Sequence, residues 1–562
     1  GYALAPLAIK AMISLARRPR LKEATVAATL VSLVGLFSPH MMVMALAAGT
    51  VILLFHIVPK YFIRKERPAS SQYIKSISLF LALLFTLSFY WLLPAFTNKT
   101  IILFQITKAD LDVFSARPLA ADGNVFLALA TLHGFWRGGY QYITQLLPLW
   151  YIPALLFIFL AVHGFLAKYR DEKIGNIVKA MGVIGILALL LGSGISSPYF
   201  SPIYEFLFNK VFFLRAFRDS QKLVALLVLS YSYLGSLGAV ELYQQLQPRL
   251  NHPQIKHKIA SIALSAIVLA SPFVYSLNML GGFRGQLKPV DYPLQWQEAN
   301  NFLNQKSGDF TVLFLPWHGF ITFSWIGQRV ATPARWFFDK PILQSQSIEV
   351  GSIENESPEP AQHYMEFILK NKGRLTNLGK LLAPLNIKYV ILAKEADYKE
   401  YDFLFRQADL KVVTENSQLV ILENLHPIAL FYSANQLQPI SGWADLVENA
   451  GKTEFDRDYQ PIKYQRLSPV SYRLEPVSGN YVVAAIPYDP SWKLNGTASE
   501  ANLGLINSFP IHSPGQIELL YYSRYGILFF SYIVSGVGLV AVILLWYLSD
   551  RKPRKTEGQA LL

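Results

Sequence analysis

The sequence predicts a polytopic α-helical membrane protein of about eight transmembrane helices. A large extracytoplasmic domain, α/β followed by a β-sandwich, is expected before the last helix. Three observations predict this. Of 562 residues, 52% are hydrophobic and only 16% charged, where soluble domains carry roughly 25% charged residues. Apolar runs fall at about 23–37, 40–59, 76–95, 149–167, 177–196, 223–241, 259–277 and 525–548, and a spanning helix needs roughly 20 such residues. Between the last two runs, residues 278–523 are too many and too polar to be a connector.

The spans follow in order. The first is short and closes at Ser38-Pro39-His40, where proline opposes a continuous helix, so 23–59 reads as a tight hairpin or as a pair that does not fully cross. The net charge of +14 raises nucleic acid as a partner, but the lysines and arginines sit in short clusters between apolar runs, which is a topology signal. Lys10 to Lys22, Lys60 to Lys75, Lys168 to Lys173, Arg249 to Lys258 and Arg551 to Lys555 all fall on one side if the spans alternate. The positive-inside rule makes that side the cytoplasm, with the C-terminus there. Loops 96–148 and 197–222, and the segment 278–523, then lie outside. With no cysteine in the chain, disulfides, thiolate zinc sites and thiol catalysis are excluded. The chain opens at Gly1 without Met or a signal peptide, and Tyr2 to Ala16 reads as the tail of a helix already under way, so further sequence is expected upstream.

In the outer segment, Leu294 to Asn304 reads as a helix, with Trp296, Ala299 and Leu303 on its apolar side. Thr311 to Pro316, Ile387 to Leu392 and Leu419 to Leu422 read as buried strands. From about 465 the texture becomes alternating (Ser471 to Glu475, Tyr481 to Ile486, Gln516 to Leu520) between Pro and Gly turns, the pattern of a small β-sandwich. The expected domains are therefore 1–277 in the membrane, 278–464 α/β, 465–523 sandwich, and 524–562 final helix and basic tail. Residues 351–360 read as a solvated loop.

Four passages carry a resemblance that spans nearly the whole chain in order. They are Pro6 to Lys10 through Arg17-Arg18-Pro19-Arg20 to Ser38-Pro39-His40; Leu132-His133-Gly134-Phe135-Trp136-Arg137; Phe213 to Lys222; and Leu385 to Ile391 followed by Pro487 to Gly496 and Pro514-Gly515. Together the chain resembles the YfhO-type bacterial membrane proteins and, more distantly, the mycobacterial-type arabinofuranosyltransferases, both of the GT-C glycosyltransferase superfamily. The resemblance implies transfer of a sugar from a polyprenyl-phosphate-linked donor to a cell-envelope glycan or lipid at the outer membrane face. It places the catalytic carboxylate upstream of this chain, and so leaves the catalytic residue unidentified.

Such a reaction needs a base on the acceptor hydroxyl, cations on the leaving lipid phosphate and a groove that positions the acceptor. Arg215, Arg218 and Lys222, among Phe212, Phe213 and Phe217 at the start of an apolar run, are the candidates for the lipid phosphate. Arg forks suit phosphate oxygens, and a helix N-terminus adds partial positive charge. Read otherwise, Arg218 pairs with Asp219 while Lys222 snorkels to lipid headgroups. His133, Trp136 and Arg137 are the candidates for substrate contact, since Trp stacks on sugar faces and Arg pairs with anions; Trp136 reads equally as an interfacial anchor. His40 reads as a hydrogen-bonded turn residue, and Asp110, Asp112 and Asp122 as a solvated loop. Trp317, Trp325 and Trp336 read as a saccharide groove or as core. No metal-binding motif is encoded, so the cofactor is unknown, a divalent cation being compatible with the chemistry. Neither a phosphate-cradling Gly loop nor H-E-x-x-H occurs. The competing function is a non-catalytic, membrane-anchored glycan-binding or assembly protein.

Overall fold

The computed structural model describes residues 1–59, 70–97, 106–120, 123–246, 255–347, 357, 359–437, 442–449, 456–457, 459–512 and 514–550. The expected loop at 351–360 and the basic clusters at 60–69 and 551–555 fall largely or wholly outside these residues, as does Asp122. The chain forms two compact units: Gly1–Lys288 with Leu528–Leu562, and Pro289–Ile527.

The first unit is helical. Its helices are α1 (Ala5–Arg17), α2 (Leu21–Phe37), α3 (Pro39–Val58), α4 (Ser70–Thr97), α5 (Lys108–Val113), α6 (Val125–Ala130), α7 (Ile143–Leu146), α8 (Tyr151–Lys168), α9 (Gly175–Ser193), α10 (Ser201–Lys210), α11 (Val224–Leu246), α12 (Ile255–Tyr275) and α13 (Leu280–Gly285). Among the described residues six helices are long and apolar enough to cross a membrane, and a pair bent by 45° across 275–277 raises this to seven. The first expected span, read from the sequence as short, is the one that does not meet this length. There α2 has 17 residues, about 25 Å at 1.5 Å per residue, short of a hydrocarbon core of roughly 30 Å. Pro39 divides it from α3 as expected, with Ser38 capping α3 by accepting from Met41 N–H at 3.3 Å.

Close approach sets the α8–α11 crossing. A Cβ on Gly164 would lie 2.0 Å from the Leu234 carbonyl, and one on Gly238 would lie 2.1 Å from the Leu160 carbonyl. Small residues allow backbones to meet where no hydrophobic effect drives helices together. The last helix of the chain, Arg524–Asp550, packs on α4 through hydroxyls. Pro94 removes the N–H that would bond the Tyr90 carbonyl, and Ser531 Oγ donates to that carbonyl at 3.3 Å. Ser535 Oγ accepts from Tyr90 N–H at 2.9 Å and donates to the Thr86 carbonyl at 2.9 Å.

The second unit begins with α14 (Leu294–Asn304), β1 (Thr311–Leu315), the hairpin β2 (Phe320–Thr322) and β3 (Arg329–Ala331), α15 (Ala334–Phe337) and β4 (Ile342–Leu343). Helices α16 (Pro360–Lys370) and α17 (Leu378–Leu382) lead to β5 (Ile387–Ala393), β6 (Leu410–Glu415) and β7 (Leu419–Asn424). The sheet order is β4-β1-β5-β7-β6. β4, β1 and β5 are parallel, and β7 is antiparallel to β5 and β6. Both faces are covered: Val312, Phe314, Tyr389 and Ile391 join the Trp296 cluster, while Leu313, Leu315, Val390 and Leu392 join the opposite one. That burial explains why these strands read as continuous apolar runs.

The β-sandwich follows. One sheet holds β8 (Phe431–Ala434), β11 (Gln460–Pro461), β14 (Tyr481–Pro487), β17 (Glu500–Asn502) and β18 (Ile506–Pro510) in the order β11-β8-β14-β18-β17. The other holds β12 (Tyr464–Ser468), β13 (Ser471–Leu474), β15 (Trp492–Leu494), β16 (Thr497–Ala498) and β19 (Glu518–Tyr522) in the order β12-β13-β19-β15-β16. A short pair, β9 (Gln436–Leu437) with β10 (Asp456–Arg457), and helix α18 (Trp443–Asn449) lie between β8 and β11, leaving the final helix as α19. The sandwich thus begins with β8, upstream of the expected 465.

Candidate functional site

The basic element at 212–223 is two 3-10 turns leading into α11, held by three side chains. His40, in the first turn of α3, donates from Nε2 to the Ala216 carbonyl at 2.9 Å and meets Phe217 edge-on, which is the hydrogen-bonded role expected for it. Tyr204 of α10 donates to the Phe217 carbonyl at 2.7 Å; burial pushes its phenol above the ordinary value, so it stays a donor. Ser220 Oγ donates to the Gly192 carbonyl at 2.8 Å.

This clamp fixes the fates of the three cations. Arg218 pairs with Asp110 at 3.7 Å and lies 4.2 Å over the Phe114 ring. It does not pair with Asp219, as the structural alternative held; Asp219 instead takes Lys222 at 2.7 Å. Asp110 is no solvated loop acid. It is 4% exposed and completes a capping box on α5, accepting from Thr107 N–H at 2.8 Å. The Nε of Arg215 is buried with no hydrogen-bond partner among the described residues. Of the three, Lys222 lines the large cavity among the described residues.

That cavity, about 870 Å³, runs beside α11. Its wall is mainly apolar: Val224, Ala225, Val228 and Leu229 from α11, with Ile9, Met41 and Met181 opposite. Val224 to Ser236 all along it span roughly 18 Å at 1.5 Å per residue. Gln221 and Lys222, at the N-terminal end of α11, line it too, as do His133 and Tyr142. Gln221 is 8% exposed, and neither its amide nitrogen nor its oxygen has a partner among the described residues. A buried amide left so costs about 1–3 kcal/mol, which a ligand in the cavity would recover. No carboxylate lines the cavity among the described residues.

His133 is placed by the end of α6. Leu132 takes a left-handed φ of 60°, His133 N–H bonds the Ala128 carbonyl at 2.7 Å and Leu132 N–H the Leu129 carbonyl at 2.9 Å, a Schellman ending. Burial holds the imidazole below its ordinary value, opposed by the hydrogen bond at Thr131. Tyr275 of α12 lies 3.4 Å from His133 Nδ1 and donates to the Thr131 carbonyl. Trp136 and Arg137 go elsewhere: Trp136 packs edge-on against Phe114 at 4.6 Å, beside Arg218, and Arg137 lies 5.6 Å over Tyr140. The structure therefore joins one residue from each expected set, His133 and Lys222, and adds Gln221 and Tyr142. Gln221 had one sequence signal, its place beside Lys222. The described residues offer a divalent cation no group of three His, Asp or Glu ligands.

The sequence profile of the family described as alpha-(1->3)-arabinofuranosyltransferase, N-terminal GT-C domain, matches residues 126–418, just over half of the chain. The chain belongs to this family. The match takes in His133, Lys222 and the α/β sheet apart from β7, and it falls on the more distant of the two resemblances drawn from the sequence. A cryo-EM structure of the arabinofuranosyltransferase AftD from Mycobacteria is similar at a TM-score of 0.48 and 14% identity, over 82% of this chain and 33% of that one. A structure of a mutant of the same enzyme gives 0.48 and 13%, over 83% and 34%. The chain spans about a third of the length of those enzymes. No curated protein matches it. Family and apolar helices together make this a multi-pass membrane protein.

Proposed function

We propose that this chain is a membrane glycosyltransferase that takes a sugar from a polyprenyl-phosphate-linked donor and delivers it to a cell-envelope glycan or lipid. The observation that carries the reading is the cavity beside α11. It offers an apolar wall long enough for several isoprene units and, at the N-terminal end of the helix, a lysine paired with Asp219 and an amide with no partner among the described residues. The lipid chain would lie along α11, with its phosphate against Lys222, Gln221 and the partial positive charge of the helix end. His133, whose imidazole burial holds below its ordinary value, is the lining group assigned to accept a proton from an acceptor hydroxyl in this reading. In this reading the reaction faces the outer side, the second unit is extracytoplasmic and the C-terminus cytoplasmic, as the basic clusters imply. The YfhO-type motifs fit the same chemistry.

The absence of a lining carboxylate among the described residues favours a second reading, in which the groove holds a lipid-linked glycan without turning it over. One experiment separates the two. The purified full chain in nanodiscs is given a radiolabelled polyprenyl-phosphate pentose donor, with Ser232→Trp filling the groove. Transfer or donor hydrolysis that is lost in the variant supports the enzyme; binding without turnover supports the second reading. Donor binding that Ser232→Trp leaves unchanged removes the groove from the mechanism.

A further inference from the structure

In the mixed sheet of the second unit, β1 and β4 run parallel, and the chain leaving their carboxyl ends walls a cavity of about 240 Å³. Open α/β sheets bind ligands outside the carboxyl ends of their parallel strands. The volume is below the roughly 300 Å³ of drug-sized sites, and suits a single small ring. Its lining is chemically specific. Trp336 and Arg335 come from α15, Gln344 and Gln346 follow β4, and Glu359 and Gln362 open α16.

Trp336 is 75% exposed, whereas Trp296 and Trp317 of the same unit are 1% and 9% exposed. Among the described residues no ring packs on it. The amides around it are fixed in advance. Gln344 donates to the Thr332 carbonyl at 2.9 Å and accepts from Arg335 N–H at 3.0 Å. Gln362 donates to the Gln344 carbonyl at 2.9 Å and accepts from Gln346 N–H at 3.1 Å. Gln346 donates to Glu359 at 2.8 Å. Such mutual bonding holds a site in its binding geometry before a ligand arrives.

We propose that this cavity is a saccharide-binding site for a neutral sugar ring, which stacks its C–H face on Trp336 and bonds its hydroxyls to Arg335, Glu359 and the glutamine amides. A sugar ring has one apolar face and a rim of paired donors and acceptors, and this lining supplies an indole and planar polar groups that bond in pairs. Glu359 in the wall disfavours a phosphate or another anion. The site belongs to the second unit and the groove beside α11 to the first, and the proposal holds whether or not that groove carries out transfer.

The test uses the full chain in nanodiscs, because sugar-headed detergents would compete. Methyl α-arabinofuranoside, methyl mannoside, methyl glucoside and methyl galactoside, with their disaccharides, are titrated by saturation-transfer NMR and Trp fluorescence. At least one neutral saccharide is expected to bind saturably, about tenfold or more weaker in Trp336→Ala, with Trp336→Phe between. Glu359→Ala is expected to weaken it as well, with the unfolding midpoint of each variant unchanged. No saturable binding by the wild-type chain, or equal binding by Trp336→Ala, overturns the proposal.

Discussion

Lys222 and Asp219 allow the phosphate end of the groove to be tested by sign as well as size. In Lys222→Met the stem is kept and the charge removed. A charge-assisted hydrogen bond contributes about 1.5–3 kcal/mol; the Lys222 side chain is 39% exposed, so water screening places it near the lower figure. The change also leaves Asp219 without its partner at 2.7 Å. Two like charges about 5 Å apart, at an effective dielectric of about 40, repel by roughly 1.7 kcal/mol. The two effects together come to about 3 kcal/mol, a loss of roughly a hundredfold in affinity for polyprenyl phosphate. The double variant Asp219→Asn with Lys222→Met removes the repulsion and should recover about tenfold, while Asp219→Asn alone frees the ammonium and should tighten binding. Dissociation constants in nanodiscs at low and moderate salt read all four corners of the cycle. If Lys222→Met binds within threefold of wild type, or Asp219→Asn weakens binding as Lys222→Met does, the phosphate does not sit there.

Gly238→Ala sets a Cβ 2.1 Å from the Leu160 carbonyl, whereas at Gly235 the nearest atom would be an ordinary 3.8 Å away. The first should cost about 1–3 kcal/mol by overpacking and the second should be tolerated, read as detergent unfolding midpoints; equal midpoints would sink the crossing argument. Ser531→Ala strips the Tyr90 carbonyl of its donor and should cost about 0.6 kcal/mol, near the mean for such bonds in membranes, in the same assay. His133, whose folded pKa lies below its ordinary value, binds fewer protons folded than unfolded. Its contribution to stability is complete above about pH 6.5 and falls as pH drops from there toward the folded value. A flatter stability profile between pH 7 and 5 in His133→Asn is the expected result, and an unchanged slope would contradict the burial that sets it.

The spans were legible because an apolar run leaves a helix few alternatives, and even the short first one could be read as such: α2 is helical but has 17 residues. Strands of the sandwich showed where one face is polar. β8 did not, because Phe431 to Ala434 are buried on both faces and lack the period of two. Composition could not tell the tryptophans apart: Trp336 stands out only once the fold has buried Trp317.

The cations show the limit most clearly. In sequence Arg215, Arg218 and Lys222 are three equal charges on one short element. What separates them is a partner 108 residues upstream, Asp110, which neutralises Arg218 and is itself held by the cap of α5. Charge near a membrane is costly and is retained where it is paired or used. Arg218 has a carboxylate and an aromatic face, and so holds the loops together. Lys222 has a carboxylate too, but it lines the cavity beside an amide with no partner among the described residues. A paired lysine at an open, apolar groove is set to exchange one anion for another, and the asymmetry between Asp219→Asn and Lys222→Met measures that exchange.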